Sequence, residues 1–200
     1  MEVSNNLEIV RAKLELYKNN FSKYHNITKI QFDLLYQLTL NLKPRTILEI
    51  GTSNGYSLLS LIKGVSSFEN KTTTYICSVE VNEEKYLKAN DIFKELSLDS
   101  KKICVELLNE NIFNINCIKC LNNKSPFDLI FIDSNQEEYS NLLNLIIKSN
   151  LISSGSSLIF DNILSHKQSY EFYKHTEFEK LGFKAKLFPI HDGFLHLLKI

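Results

Sequence analysis

Segments with apolar residues at helical spacing alternate along this chain with short β-branched runs, and five of those runs end in glycine or a polar residue. Such alternation implies βαβ units, a parallel sheet, and right-handed crossovers that put helices on both faces. The predicted helices are 28–42, 56–66, 83–96, 112–121, 137–148 and 168–181. The predicted strands are 46–50, 73–79, 102–108, 127–132, 157–160, 183–190 and 194–200. Ahead of them, 7–21 carries Leu7, Val10, Leu14, Tyr17 and Phe21 on one helical face. The last two strands are joined by a hairpin-length link holding Asp192 and Gly193, so the final strand is expected to run antiparallel. The expected fold class is therefore α/β: a doubly wound, seven-stranded, mostly parallel sheet with the last strand antiparallel. No repeat or Pro/Gly linker divides it. Residues 28–200 are expected to form one domain behind an N-terminal helical segment, 1–27.

Charge narrows the partners. Lys plus Arg equals Asp plus Glu at 23 each, giving a net charge of zero. That disfavours a strongly basic nucleic-acid or membrane-surface protein. No apolar stretch approaches the roughly 18–20 residues of a membrane span. The first twenty residues carry charges throughout and no apolar h-region, so no secretory signal and a cytoplasmic location are expected. Cys77 and Cys104 lie in apolar β-rich runs and read as buried small hydrophobes. Cys117 and Cys120 form a lone CxxC with no second ligand pair, which reads as two thiols on a helix rather than a zinc site.

The strand ends carry the chemistry, because open α/β sheets bind ligands outside the carboxyl ends of their strands. They supply Glu49-Ile-Gly51-Thr-Ser-Asn-Gly55-Tyr-Ser57, then Glu80, then Asn109-Glu110-Asn111, then Asp133, then Asp161-Asn162. Helix capping explains any one of these acids and amides. Five together on the functional edge of the sheet point to a site. The glycine loop is neither GxxxxGK[ST] nor GxGxxG. Glu49, two residues before the first glycine, would repel a phosphate and suit a cation. Glu80 stands where a carboxylate can accept the hydroxyls of a ribose. The ligand suggested is a nucleoside bearing a positive, non-phosphate group.

At these residues the sequence resembles a known family. LEIGTSNGYSLLSL resembles the glycine motif of class I S-adenosylmethionine-dependent methyltransferases, in the form found in the catechol and caffeoyl-CoA O-methyltransferase group (O-methyltransferase family 3). FDLIFIDSNQEEY resembles that group's FDxxFIDAxKxxY segment, SSLIFDNIL its strand ending in Asp-Asn, and LFPIHDGFLHLLKI its C-terminal PxGDGxxxxxK hairpin. The resemblance runs in order over 28–200.

The resemblance implies roles. Asp133, Asp161 and Asn162 fall on the family's divalent-cation ligands, usually for Mg²⁺; three oxygen donors suit such a hard ion. S-adenosyl-L-methionine contacts fall on Glu49, Gly51, Gly55, Ser57, Glu80 and Asp133, with Glu110 and Asn111 near the adenine and Thr28 near the methionine end. The family's general-base Lys is replaced by Gln136, an amide that cannot accept a proton, and Asn135 stands where an acid is common. His166, four residues after Asn162, is the candidate replacement base, with His191 in the terminal turn as the second. The expected reaction is metal-assisted methyl transfer to a hydroxyl (phenol, catechol or enol) of a small molecule. The alternatives are methylation of a hydroxylated tRNA uridine, or cofactor binding without catalysis. An NAD-dependent oxidoreductase is disfavoured by the absent GxGxxG. The N-terminal helix is expected to cover the cofactor or join a homodimer, with Tyr17, Phe21, Tyr24 and His25 as candidate acceptor contacts. No membrane partner is expected.

Overall fold

The computed structural model describes residues 11, 27–69, 72–94, 96, 98 and 102–200. The predicted 7–21 helix and the contacts expected of Tyr17, Phe21, Tyr24 and His25 lie outside the described residues, apart from helical Arg11. The Arg11 guanidinium sits 5.1 Å from the centre of the Phe32 ring.

The order of elements is α1 (Lys29–Leu42), β1 (Thr46–Ile50), α2 (Tyr56–Ser66), β2 (Thr74–Glu80), α3 (Glu83–Lys94), β3 (Ile103–Asn109), α4 (Ile115–Asn122), β4 (Leu129–Ile132), a 3₁₀ turn (Gln136–Glu138), α5 (Tyr139–Lys148), β5 (Ser157–Phe160), α6 (Lys167–His175), β6 (Phe183–Phe188) and β7 (Phe194–Lys199). The seven strands form one sheet in the order β3-β2-β1-β4-β5-β7-β6. All neighbouring pairs from β3 to β5 are parallel, and β7 runs antiparallel to both β5 and β6. The expected fold class is the one observed. The strand order reverses between β1 and β4, the switch point where such sheets open a crevice.

Alternation along the strands fills two core layers. Leu48, Cys77, Ile130, Leu158 and Leu197 face α4, α5 and α6. Ile47, Ile76, Leu129, Phe131 and Ile159 face α1, α2 and α3. Helix α1 begins with a reciprocal capping box: the Thr28 hydroxyl accepts from the Gln31 backbone N–H, and the Gln31 side chain accepts from that of Thr28. It ends at Lys43 in the left-handed conformation, just before Pro44.

Several boundaries differ from expectation. Helix α4 starts at Ile115 because the Asn114 side chain accepts the Asn116 N–H and caps it there. The predicted 137–148 helix is split, with Asn135 capping a 3₁₀ turn before α5. The predicted 168–181 helix stops at His175, where Thr176 is extended and Phe178 turns inward against Phe172 at 5.5 Å. Cys104 is exposed rather than buried. It lies on β3, an edge strand of the sheet, where only Ile103 is fully buried. Cys77 and Cys117 are buried, and burial pushes their thiols up to about 12 and about 11. Among the described residues no helix is long and apolar enough to cross a membrane.

Candidate active site

The glycine loop closes on the neighbouring strand. The Gly51 N–H donates to the Val79 carbonyl at 2.9 Å, and its φ of +99° is in the left-handed range. A Cβ there would lie 2.0 Å from the carbonyl oxygen of Asp133. Only glycine lets the ends of β1 and β4 approach this closely. Gly55, at φ +90°, abuts the Phe93 ring, where a Cβ would lie 2.2 Å from Cε2.

Beneath the loop Glu49 is fully buried. It accepts a hydrogen bond from the Ser78 hydroxyl, which also meets the Thr52 hydroxyl at 2.5 Å. Burial pushes the Glu49 carboxyl up to about 8, against the Ser78 hydrogen bond, which favours ionisation. Among the described residues, the buried side-chain atoms lacking a partner are Glu49 Oε1, Ser53 Oγ and both amide atoms of Asn54. All belong to residues 49–54, where a polar ligand or water would satisfy them.

A cavity of about 800 Å³ opens over the ends of β1, β2, β4 and β5. Of the residues expected from the sequence, Gly51, Glu80, Glu110, Asn111, Asp133, Gln136, Asp161, Asn162 and His166 line it. Glu49, Gly55 and Ser57 do not; they stand behind the loop and shape it. Thr28 does not line it either, its side chain being taken up in the α1 cap. Glu80 Oε2 accepts from the Ser53 N–H at 2.7 Å and Oε1 from the Asn82 N–H at 2.9 Å. The acid is thus held by backbone on both sides. His166 precedes α6 without making a side-chain cap bond and is exposed at the cavity wall. His191 points elsewhere: its Nδ1 pairs with Asp192 at 2.7 Å and it does not line the cavity. Gln136 lines the cavity near Tyr139, whose hydroxyl donates to the Asp161 carbonyl at 3.0 Å.

At the other end stand Asp133, Asp161 and Asn162. The Asn162 amide donates to Asp133 Oδ1 at 2.9 Å, and its backbone N–H donates to Asp161 Oδ1 at 2.6 Å. Asn162 reaches this position with φ +58°, which asparagine tolerates better than most residues. Burial pushes Asp133 up to about 7; Lys85 and the Asn162 amide pull it back, while Asp192 and Glu80 raise it. Burial, then the charge of Asp133, raises Asp161 well above the carboxylate range. Among the described residues, no three His, Cys, Asp or Glu side chains gather as a metal site. The expected set supplies two carboxylates and an amide. Its chemistry nonetheless fits a hard cation, because two neighbouring carboxylates, Asp161 buried and Asp133 half-buried, are what a positive charge would relieve.

The sequence reading missed two residues of this end. Gln31 reaches across from α1, and Asp192 is delivered by the β6–β7 turn, whose backbone bonds the loop after β5 (Leu164 N–H to the Asp192 carbonyl, 2.7 Å). Gln31 carries the capping-box spacing, which hides a second role. Asp192 was visible only as turn chemistry.

A doubly wound sheet whose switch-point cavity lies between a glycine loop and paired aspartates defines a small-ligand-binding α/β domain of the nucleotide-binding kind. The O-methyltransferase family model matches residues 4–180, and the chain belongs to that family. A protein of Arabidopsis thaliana named for caffeoyl-CoA O-methyltransferase is 25% identical over 75% of this chain and 62% of its own length. The O-methyltransferase hkm8 of Aspergillus hancockii is 27% identical over 64% of this chain and 46% of its own. The chain thus matches about half to three fifths of these relatives. The fold is shared with an O-methyltransferase of Bacillus cereus solved with SAH (TM-score 0.76, 22% identity, 98% of this chain and 91% of that one). It is shared also with TomG of Streptomyces achromogenes, solved with SAM (TM-score 0.73, 18% identity, 98% and 90%).

Proposed function

We propose that this chain transfers a methyl group from S-adenosylmethionine to a hydroxyl oxygen of a small molecule, with Asp133, Asp161 and Asn162 holding a divalent cation. The observation that carries this reading is a single cavity wall shared by Gly51 and Glu80 on one side and Asp133, Asp161, Asn162 and His166 on the other. Glu80, fixed by two backbone N–H groups, offers its remaining lone pairs to ribose hydroxyls. The cofactor supplies an electrophilic methyl carbon on a sulfonium that loses its charge as the C–S bond breaks. A cation at the three ligands would lower the pKa of a bound acceptor hydroxyl. His166 takes the hydroxyl proton, a role the Gln136 amide cannot fill.

The cavity's charge favours a small acceptor over a tRNA. Beside the proposed cation ligands, Glu80, Glu110, Glu138 and Asp192 line it, with Lys85 as the one lysine or arginine among the described lining residues. A polyanion would meet repulsion there. The test is release of S-adenosylhomocysteine by the purified protein with a panel of catechols, phenols and enols, with and without EDTA. Transfer abolished by EDTA and restored by Mg²⁺ is expected. Transfer indifferent to thorough chelation removes the cation. Tight cofactor binding with no turnover on any acceptor leaves the non-catalytic binding protein that Gln136 would suit.

A further inference from the structure

Gln31 is buried inside α1, yet its side-chain amide is divided between two elements. Its Oε1 accepts from both the backbone N–H and the hydroxyl of Thr28, at 2.9 and 2.8 Å. A backbone N–H can only donate, so Oε1 must face Thr28 and Nε2 must face away. Nε2 donates to Asp161 Oδ1 at 2.6 Å, across 130 residues of chain. The Asn162 N–H, also at 2.6 Å, falls on the same oxygen. Both donors therefore engage Oδ1, and Oδ2 is the oxygen left for a ligand. A carboxylate has one free torsion at its end, and two donors on one oxygen from two elements remove that freedom. The Asn162 N–H alone would not, because it is attached to the next residue and moves with the loop.

We propose that Gln31 is a positioning residue of the active site: from the first turn of α1 it fixes the direction in which Asp161 presents Oδ2 to the cavity. The proposal rests on the reading of Asp161 as an active-site acid but does not depend on which ligand that acid meets. An apolar residue at 31 would leave Asp161 held from one side only. A glutamate would preserve the acceptor for Thr28, as in an ordinary capping box, and would put a second carboxyl where the fixed amide donor stood. Cap and positioning are thus separable. Thr28→Ala weakens the cap without touching Nε2; Gln31→Met and Gln31→Glu remove the Nε2 donor, and Gln31→Glu keeps the cap.

The experiment compares crystal structures of the wild type, Gln31→Met, Gln31→Glu and Thr28→Ala, with Mn²⁺ titration followed by electron paramagnetic resonance and S-adenosylhomocysteine titration by calorimetry. In Gln31→Met and Gln31→Glu the Asp161 carboxylate is expected to rotate or occupy two orientations, whereas Thr28→Ala keeps the wild-type one at a lower thermal midpoint. Gln31→Met is expected to weaken Mn²⁺ about tenfold or more, the size of effect usual for a residue supporting a metal ligand, with S-adenosylhomocysteine affinity within twofold. In turnover the same variant should lower kcat and leave KM for S-adenosylmethionine nearly unchanged. Asp161 holding its wild-type orientation in both Gln31 variants overturns the proposal. If the wild type binds no Mn²⁺ or transfers no methyl group, the proposed function fails, while the Asp161 orientation still decides the role of Gln31.

Discussion

Glu49 shows how a single side chain can support a site it does not enter. It lies under the glycine loop with one oxygen bound by Ser78 and the other without a partner. Its carboxyl keeps its proton in the fold up to about 8, against an ordinary 4.5. The stabilisation from this protonated form is complete below the unfolded value and is lost as pH rises toward the folded one. Wild type should therefore lose stability relative to Glu49→Gln between about pH 5 and pH 8, with a slope approaching ~1.4 kcal/mol per pH unit. Parallel urea melts of the two proteins check this, and a pH-independent gap between them would show that Glu49 is ionised in the fold. His166 makes the opposite case, exposed at the cavity wall with no cap bond. If it takes the acceptor's proton, His166→Ala should cut kcat by ~10²–10⁴-fold with the affinity for S-adenosylhomocysteine held. A loss under threefold would assign the proton to solvent.

Between elements, the contact to watch is that of α1 and α2. A Cβ on Gly64 would lie 2.6 Å from Thr39 Cβ and 3.3 Å from the Tyr36 carbonyl. Thr39 cannot yield, because it is short, fully buried and bonded through its hydroxyl to the Leu35 carbonyl at 2.8 Å. Gly64→Ala gains ~1 kcal/mol of helix propensity. Pushing two packed helices apart costs typically ~1–3 kcal/mol. The variant should be the less stable in urea, and because α1 carries Gln31 it should also turn over more slowly. A more stable Gly64→Ala would mean the helices separate freely. This coupling marks what the sequence could and could not show. The strands were legible because β-branched runs ending in polar residues carry their own period, and the site edge followed from topology. Cys104 was misread because alternation does not reveal which strand lies at the sheet edge. Gln31 and Asp192 were missed because each reaches the site through packing of distant segments, while its local pattern is fully explained as a cap or a turn.

Taken whole, the molecule is a sheet joined at one seam. Strands β1, β2 and β3 carry the glycine loop, Glu80 and Glu110, while β4 and β5 carry Asp133, Asp161 and Asn162. The cavity spans the switch point between them, where a Gly51 side chain would strike Asp133. A ligand filling that crevice bridges both sides, so its binding energy should stabilise the whole fold rather than one loop. At a hundredfold excess over Kd, such a ligand adds ~2.7 kcal/mol. For a chain of this size that corresponds to a rise of about 5–11 °C in thermal midpoint. S-adenosylhomocysteine should produce that rise in a single transition. NADH should produce none, since the loop lacks the glycine spacing that cradles a pyrophosphate. Gly51→Ala, forced into a disfavoured φ against a backbone oxygen, should melt lower and lose the ligand shift. A full shift in Gly51→Ala would show that the ligand does not lie against the seam, and equal shifts from both nucleotides would return the cavity to generic nucleotide binding.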